Sequence, residues 1–356
     1  HTAWRGITVW DLVQPFFMFI VGAAMPYAFA KRQAAGKGWW SGLPRVLWRC
    51  GLLLFCSHFM SAYDKGRWDW DFITVLSQIA FTYFVAYLVL PLGWKAQAAT
   101  ALGLLGLHWG LHLYAGQLLS KLDPDNFAAV GPWGPWATGL NFGEQLDRWL
   151  IGRNWSGDYA TLNCVSSASA TIAGVMAANL LRSQASFGRK ALVLLAAAAL
   201  LIAAGYALDQ TLVVPMIKRI WTASFALVSI GITLVALLLF FAVGTAWPRV
   251  PWGAFVVFGA NCIFLYMASR LFFSHMTKIA DRVLKDGVAW FTLKLNGEWF
   301  PWTLTQFGGD GGSWAVNNPS MRHPDRWVAF TVDWAVLLTL VYVAYFLYRR
   351  KIFFKL

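Results

Sequence analysis

The sequence predicts an all-α, polytopic transmembrane helix bundle of about nine spans. Three observations predict it. Apolar runs of about 20 residues recur along the whole chain, the length a helix needs to cross a bilayer. Hydrophobic residues make up 58% of the 356 and charged residues only 13%, against roughly 25% charged in a soluble domain; mean hydropathy is +0.53. The chain also holds 22 Trp. Many stand where apolar runs meet polar loops (Trp39, Trp40, Trp68, Trp70, Trp94, Trp133, Trp136, Trp252), as an interfacial aromatic belt requires.

The spans read as roughly 12–30, 44–61, 73–91, 98–115, 162–181, 190–208, 221–245, 253–273 and 327–348. Helices are the only economical choice, because runs this long lack the alternation of a lipid-facing barrel strand. Together they form one transmembrane domain, 1–356, with two long outward loops at 116–161 and 274–326. Both loops mix Trp, Gly and Pro with Asn and Asp, for example Trp302, Gly308-Gly-Asp310-Gly-Gly312 and Asn317-Asn318-Pro319. Such loops can stack and hydrogen-bond a sugar, or simply cap the bundle at its interface.

Charge sets the orientation. The short segments 31–43, 92–97, 182–189, 246–252 and 349–356, with Arg45 and Arg49, are dense in Lys and Arg and contain no acid. All acids except Asp11 and Asp333 fall on the other side. The positive-inside rule places the first side, including the C-terminal tail, in the cytoplasm and His1 outside. The sequence has no initiator Met and reads as beginning inside a longer product, N-terminally truncated; a bacterial inner membrane suits the whole.

The net charge of +13 does not indicate nucleic acid. The cations are spread over short loops, so membrane lipid headgroups or a phosphate-bearing cofactor are the expected partners. Cys50, Cys56, Cys164 and Cys262 lack metal spacing and read as packed free thiols. No nucleophile elbow, P-loop, dinucleotide fingerprint or Cys-x-x-Cys is present, which leaves soluble hydrolases, kinases and dehydrogenases without a foothold.

Several residues can carry chemistry. An acid at the mouth of a span is costly and marks a functional site by default, which singles out Asp11. His1 can take a proton from a nucleophile or accept an acyl group, with Asp11 fixing its tautomer; it can equally be a frayed terminal residue. Asn261 is a primary amide within a span, either pinning helices or lining a path. Arg270 either snorkels outward or pairs with Asp333 or Asp11. The outer turn carrying Lys218 and Trp221 can face a polar ligand or be a plain loop. His108 and His112 share a helical face, but no third metal ligand stands near them, so no metal is expected.

The stretch His1-x-x-Trp4-x-Gly6-x-Thr8-x-x-Asp11-Leu-Val-x-Pro15-x-Phe-x-Phe-Ile-x-Gly22 resembles the heparan-α-glucosaminide N-acetyltransferase family. The same family order continues through Val75-Leu-Ser-Gln78 to Tyr83, Leu146-Asp147-Arg148-Trp149, Pro215-x-x-Lys218-x-x-Trp221-Thr-x-Ser224, Gly259-x-Asn261-x-Ile263-x-x-Tyr266 and the tail from Leu347 to Lys355. The resemblance implies an N-acetyltransferase that moves the acetyl group of cytosolic acetyl-CoA through the membrane to an amino sugar or glycan outside. It implies that His1 is the active histidine, oriented by Asp11. Asn261, Lys218, Trp221 and Arg270 would stabilise an oxyanion or line the substrate path. Arg45, Arg49 and Lys351 are assigned to the CoA phosphates, and a homodimer is among the expected assemblies. The family's preceding span, with a membrane asparagine, falls upstream of this sequence. After Tyr266 the chain reads Ser269-Arg270 where the lysosomal member has His-Glu, so a role carried by that pair does not transfer. The alternatives are a transporter or flippase for a sugar or lipid-linked substrate, and a non-catalytic membrane subunit.

Overall fold

A backbone in lipid must close its hydrogen bonds within the chain, and the computed structural model shows how this one does. It describes residues 5–66, 68, 72–122, 131–152, 159–247, 253–269, 271 and 323–352. Within these the regular structure is helical, with no strand. The first of two compact units covers 1–249. It contains α1 (Val13–Ala34), α2 (Leu43–Lys65), α3 (Val75–Val89), α4 (Trp94–Leu122), α5 (Phe142–Ile151), α6 (Asn163–Arg182), α7 (Phe187–Gln210) and α8 (Ala223–Ala246). A 3₁₀ turn, Val9–Leu12, leads into α1. The second unit, 250–356, contains α9 (Gly253–Ala260), a further helical stretch at 262–269 and α10 (His323–Arg349).

Among the described residues, five helical segments are long and apolar enough to cross a membrane: Val9–Ala34, Trp40–Tyr63, Asn163–Arg182, Phe187–Gln210 and Ala223–Ala246. They make this an integral membrane protein. Val75–Val89 and Val336–Arg349 are apolar but shorter. At 29 residues α4 has the length, but Gln97, His108 and His112, all buried, lower its apolarity. Part of the segment 116–161, read as an outer loop, is helical: α4 runs on to Leu122, and α5 begins at an Asn141 cap. Asn141 Oδ1 accepts from the Glu144 amide at 3.1 Å, and the Glu144 carboxylate accepts from the Gly139 amide at 2.7 Å, so the cap and the acid three residues on tie the helix start to the turn before it. The loop 274–326 lies almost wholly outside the described residues.

Lipid tails are as apolar as leucine, so spans associate by close packing and internal polar bonds rather than by hydrophobic exclusion. The bundle follows that rule. In α6 the buried residues are mostly small (Ser166, Ser167, Ala168, Ser169, Ala170, Thr171, Gly174, Ala177), and 67% of its apolar window is buried. The most exposed span, α7, with only 17% of its window buried, has a mean hydropathy of 2.5 against 1.5 for α6; Leu192, Leu195 and Leu200 point outward. α1 and α6 touch backbone to backbone at two glycines. A Cβ on Gly22 would stand 1.9 Å from the Thr171 carbonyl oxygen, and one on Gly174 would stand 2.0 Å from that of Phe19. Cross-helix polar bonds add to this, including Gln14 Nε2 to Gln78 Oε1 at 2.9 Å, and a hydroxyl pair, Ser57 with Thr74.

The helices alternate in direction, which gives the first unit two ends. Asp11, the Gln14–Gln78 pair, α5, the start of α6 and the turn 211–222 lie at one end. At the other, Trp39 and Tyr87 bond reciprocally, Nε1 to O at 3.0 Å and OH to O at 2.6 Å. Arg182 reaches the Pro26 carbonyl at 3.0 Å at the same end. α1 alone, 22 residues, separates the two ends by about 33 Å, close to the hydrocarbon thickness of a bilayer.

Gly22→Leu is expected to destabilise the protein by about 1–3 kcal/mol through overpacking, read as a lower thermal midpoint in detergent. Gly188→Ala, where an added Cβ meets nothing within 4 Å, is expected to leave the midpoint unchanged.

Candidate functional site

At the Asp11 end an acid is held deep in apolar surroundings. Thr8 precedes the 3₁₀ turn and donates to Asp11 Oδ2 twice, from its amide at 2.9 Å and its hydroxyl at 2.7 Å. On the other oxygen, Asp11 Oδ1 stands 3.2 Å from Lys218 Nζ. Asp11 is 1% exposed and Lys218 8%. Two opposite charges of this kind tolerate burial only when paired and further hydrogen-bonded, and here they are.

The turn bearing Lys218 is itself buried, although its sequence reads as an outer turn. Val214, Met216, Ile217, Ile220, Trp221 and Thr222 are all buried. Its backbone is satisfied locally and by α6. Thr222 N bonds Ile217 O at 3.1 Å, and Trp221 N bonds Lys218 O at 2.9 Å. Asn163 Nδ2 donates to Arg219 O at 2.6 Å, and Ser166 Oγ donates to Trp221 O at 2.7 Å. Trp221 takes a left-handed backbone, φ 50°, a costly conformation for a bulky residue and one that clusters at functional sites. Its ring packs edge-on to Phe225 at 5.3 Å, and its buried indole N–H has no hydrogen-bond partner among the described residues. Nearby, burial raises the Tyr159 phenol above its ordinary value, with Arg219 opposing the shift and Asp11 adding to it.

The strip before Asp11 is tied to the same region. Arg5 forks onto Asp209 (Nε to Oδ1 2.8 Å, Nη2 to Oδ2 3.0 Å) and reaches the Asp209 carbonyl at 3.0 Å. Gly6 N donates to Met216 O at 2.8 Å, and Met216 N donates to Asp209 Oδ1 at 2.7 Å. The hydrogen bond to Asp209 raises Arg5 above its ordinary pKa.

The opposite end of α1 holds a cavity of about 400 Å³. Five cations line it: Lys31 and Arg32 from the last turn of α1, Lys37 from the connection, and Arg45 and Arg49 from the first turns of α2; no lining residue is acidic. Tyr83 and Tyr87 supply an aromatic wall, and Arg49 donates to the Tyr83 hydroxyl at 3.2 Å. Cations without carboxylates to neutralise them, beside flat apolar walls, suit a phosphate-bearing ligand with an aromatic part.

Of the residues expected at a site, the structure therefore brings Asp11, Lys218 and Trp221 together at one end of the first unit and Arg45 with Arg49 at the other. Asn261 and Lys351 belong to the second unit. There Asn261 is buried and donates from Nδ2 to Ile352 O at 3.1 Å, while Lys351 is exposed. His1 and Arg270 lie outside the described residues. His108 and His112 are both buried with ring centroids 4.4 Å apart, and His112 stacks on Trp136 at 5.1 Å. No group of three metal-ligating side chains occurs among the described residues. All four cysteines are unpaired. Sequence reading missed Arg5, Asp209, Tyr159 and three of the cavity's cations. Asp209 carried a signal, since a carboxylate in the last turn of a helix opposes the macrodipole and needs a partner elsewhere.

Part of the sequence is similar to an N-acetyltransferase. The chain is 32% identical over 101 residues to heparan-alpha-glucosaminide N-acetyltransferase of Mus musculus, covering 27% of this chain and 15% of that protein. It is 33% identical over 91 residues to the protein of the same name from Homo sapiens, covering 24% and 14%. The matches thus span about one seventh of those relatives' length. No protein-family model matches the chain.

Lys218→Ala strands the Asp11 carboxylate in the bundle and is expected to cost about 3–5 kcal/mol. The double variant Asp11→Asn with Lys218→Met is expected to recover most of that. A double-mutant cycle on unfolding midpoints in mild detergent checks both.

Proposed function

We propose that the protein is a transmembrane acetyltransferase that moves the acetyl group of cytosolic acetyl-CoA to the amine of an amino sugar or glycan on the outer, periplasmic or luminal, side. The observation that carries this reading is the acid-free cavity. Its five cations stand on the segments that the positive-inside rule assigns to the cytoplasm, where a nucleotide thioester would arrive. The similarity to an N-acetyltransferase supports the reaction type. On this reading the chain spans the membrane nine times, in a bacterial inner membrane, with its tail cytoplasmic.

In the reaction the amine nitrogen attacks the thioester carbonyl. The C–N bond forms, the C–S bond breaks, and CoA leaves as its thiol. Arg45 and Arg49, joined by Lys31, Arg32 and Lys37, hold the donor's phosphates, and Tyr83 with Tyr87 flank its base. The α1 wall of the cavity reaches up to Met25, which stands about 20 Å along the helix from Asp11. A thioester on a long arm is the form of donor such a separation demands.

In the role that the family likeness gives it, His1 takes the amine proton, or first carries the acetyl group on a ring nitrogen. Asp11 orients it. Lys218 and the indole N–H of Trp221 supply positive ends toward the developing oxyanion.

Acetyl-CoA is expected to raise the thermal midpoint of the purified protein, with about 2.7 kcal/mol of stabilisation at a hundred times its Kd. Arg45→Ala with Arg49→Ala is expected to abolish the shift. His1→Ala should keep the shift and lose thiol release from acetyl-CoA in the presence of glucosamine. Indifference to acetyl-CoA and CoA, alongside stabilisation by a glycan or an anionic lipid, would replace this reading with that of a carrier.

A further inference from the structure

The cavity at the Lys31 end is cationic and apolar at once. Its five cations meet no lining carboxylate, and Met25, Ala28, Phe29, Val46 and Leu90 make up most of the remaining wall. Arg49 spends one described hydrogen bond on the Tyr83 hydroxyl, and a guanidinium has five N–H groups to give. Trp39 and Trp40 stand at the same end in edge contact at 4.5 Å, and Trp40 is 75% exposed. An exposed Trp at a span end marks the headgroup layer of a bilayer. The cations are therefore at the depth where lipid phosphates lie.

The cavity is also uncovered toward lipid. α1 and α2 each pack on α3 and scarcely on each other, which leaves a lane between them. Leu52 and Cys56 share the face of α2 that carries Arg45 and Arg49, by helical spacings of three and four, and both are only part-buried. On α1, Ala24 and Val21 stand one and two turns from Ala28 on the same face; Ala28 and Ala24 are exposed and Val21 is part-buried. The walls of the lane are thus apolar and its mouth is cationic. A soluble nucleotide thioester uses the cations and the tyrosines but has no need of an apolar opening onto the bilayer. A phospholipid uses both: the phosphate meets the cations and an acyl chain lies along the lane. Basic pockets between spans on the cytoplasmic side take anionic headgroups in this way.

We propose that this cavity also seats the headgroup of an anionic phospholipid, which competes with the donor and so makes transfer respond to the composition of the membrane. The competition rests on the reading of the cavity as the donor's site; the lipid site does not. The chemistry common to both ligands is a phosphate ester held by Arg45 and Arg49, whose planar groups match phosphate oxygens in pairs.

The test uses the purified, lipid-depleted protein in a neutral detergent, with a few lipids per micelle so that no surface potential repels the donor. Thermal midpoints are read with phosphatidylglycerol, with phosphatidylcholine of the same chains, and with glycerol 3-phosphate. Phosphatidylglycerol is expected to raise the midpoint and the other two to leave it unchanged at the same concentration. The shift should vanish in Arg45→Ala with Arg49→Ala. It should be partial in Arg45→Lys with Arg49→Lys, which keeps the charge and loses the forks. Leu52→Trp and Ala24→Trp, which fill the lane and leave the cations in place, should lose the lipid shift and keep the acetyl-CoA shift. With phosphatidylglycerol at ten times its own Kd, the apparent Kd for acetyl-CoA should rise about tenfold, as competition for one site requires. Equal shifts from both phospholipids, an equal shift from glycerol 3-phosphate, or a lipid shift that survives the Arg45/Arg49 alanine pair or both Trp variants overturns the lipid site. A lipid shift with unchanged affinity for acetyl-CoA overturns the competition. A lipid shift without any acetyl-CoA shift overturns the donor reading instead and supports the lipid site.

Discussion

The Asp11–Lys218 ion pair is the interaction on which the rest of this end of the bundle depends. Two charges withdrawn from water attract strongly but lose a large hydration energy, and the balance is favourable only when the geometry is good and further hydrogen bonds support the pair. Here Thr8 caps one carboxylate oxygen and the ammonium meets the other. That requirement dictates the local fold. It draws the turn 214–222 into the interior, where Asn163 and Ser166 of α6 must satisfy its carbonyls. It places α6 beside α1, and the two glycines at their crossing allow the approach. Irregular backbone at this depth persists only where protein covers it, and the Ser- and Ala-rich face of α6 is that cover.

Much of this could be read in the sequence, for physical reasons that name particular residues. The expected spans fall on helices because a run such as Val13–Ala34 has no other way to hide its backbone. Asp11 stood out because an acid beside such a run needs a reason. Lys218 and Trp221 were visible as a polar turn, but not as a buried one: Pro215, Lys218 and Arg219 in a row look solvated until the partner carboxylate more than 200 residues away is known. Arg5 and Asp209 pair across a similar separation, and no periodicity announces them. The cavity was half legible. Arg45 and Arg49 share a helix face, whereas Lys31, Arg32 and Lys37 join them only through the turn at 35–42, held by Trp39 on Tyr87. The α1–α6 crossing was illegible for a different reason. Gly22 and Gly174 look like any glycine in an apolar run, and only the partner backbone shows that a side chain is forbidden there.

The two ends of the first unit are opposite in kind, and this sorts what each can hold. At the Lys31 end no described acid offsets the cations of the cavity. At the other end stand Asp11, Glu144, Asp147 and Asp209, all buried. Arg5 and Lys218 stand among these acids, each paired with one of them, so the charge at this end is met from within the chain, whereas no lining carboxylate meets the cations of the cavity. Anions are drawn to the cavity, and this sorting needs no moving part. The two ends also differ in how they are built. The cavity is shaped by side chains on loops and helix termini, while the acid end is locked by paired charges and backbone bonds. On the transfer proposed above, a group crossing between them travels on the flexible partner, the ligand, toward a rigid receiver.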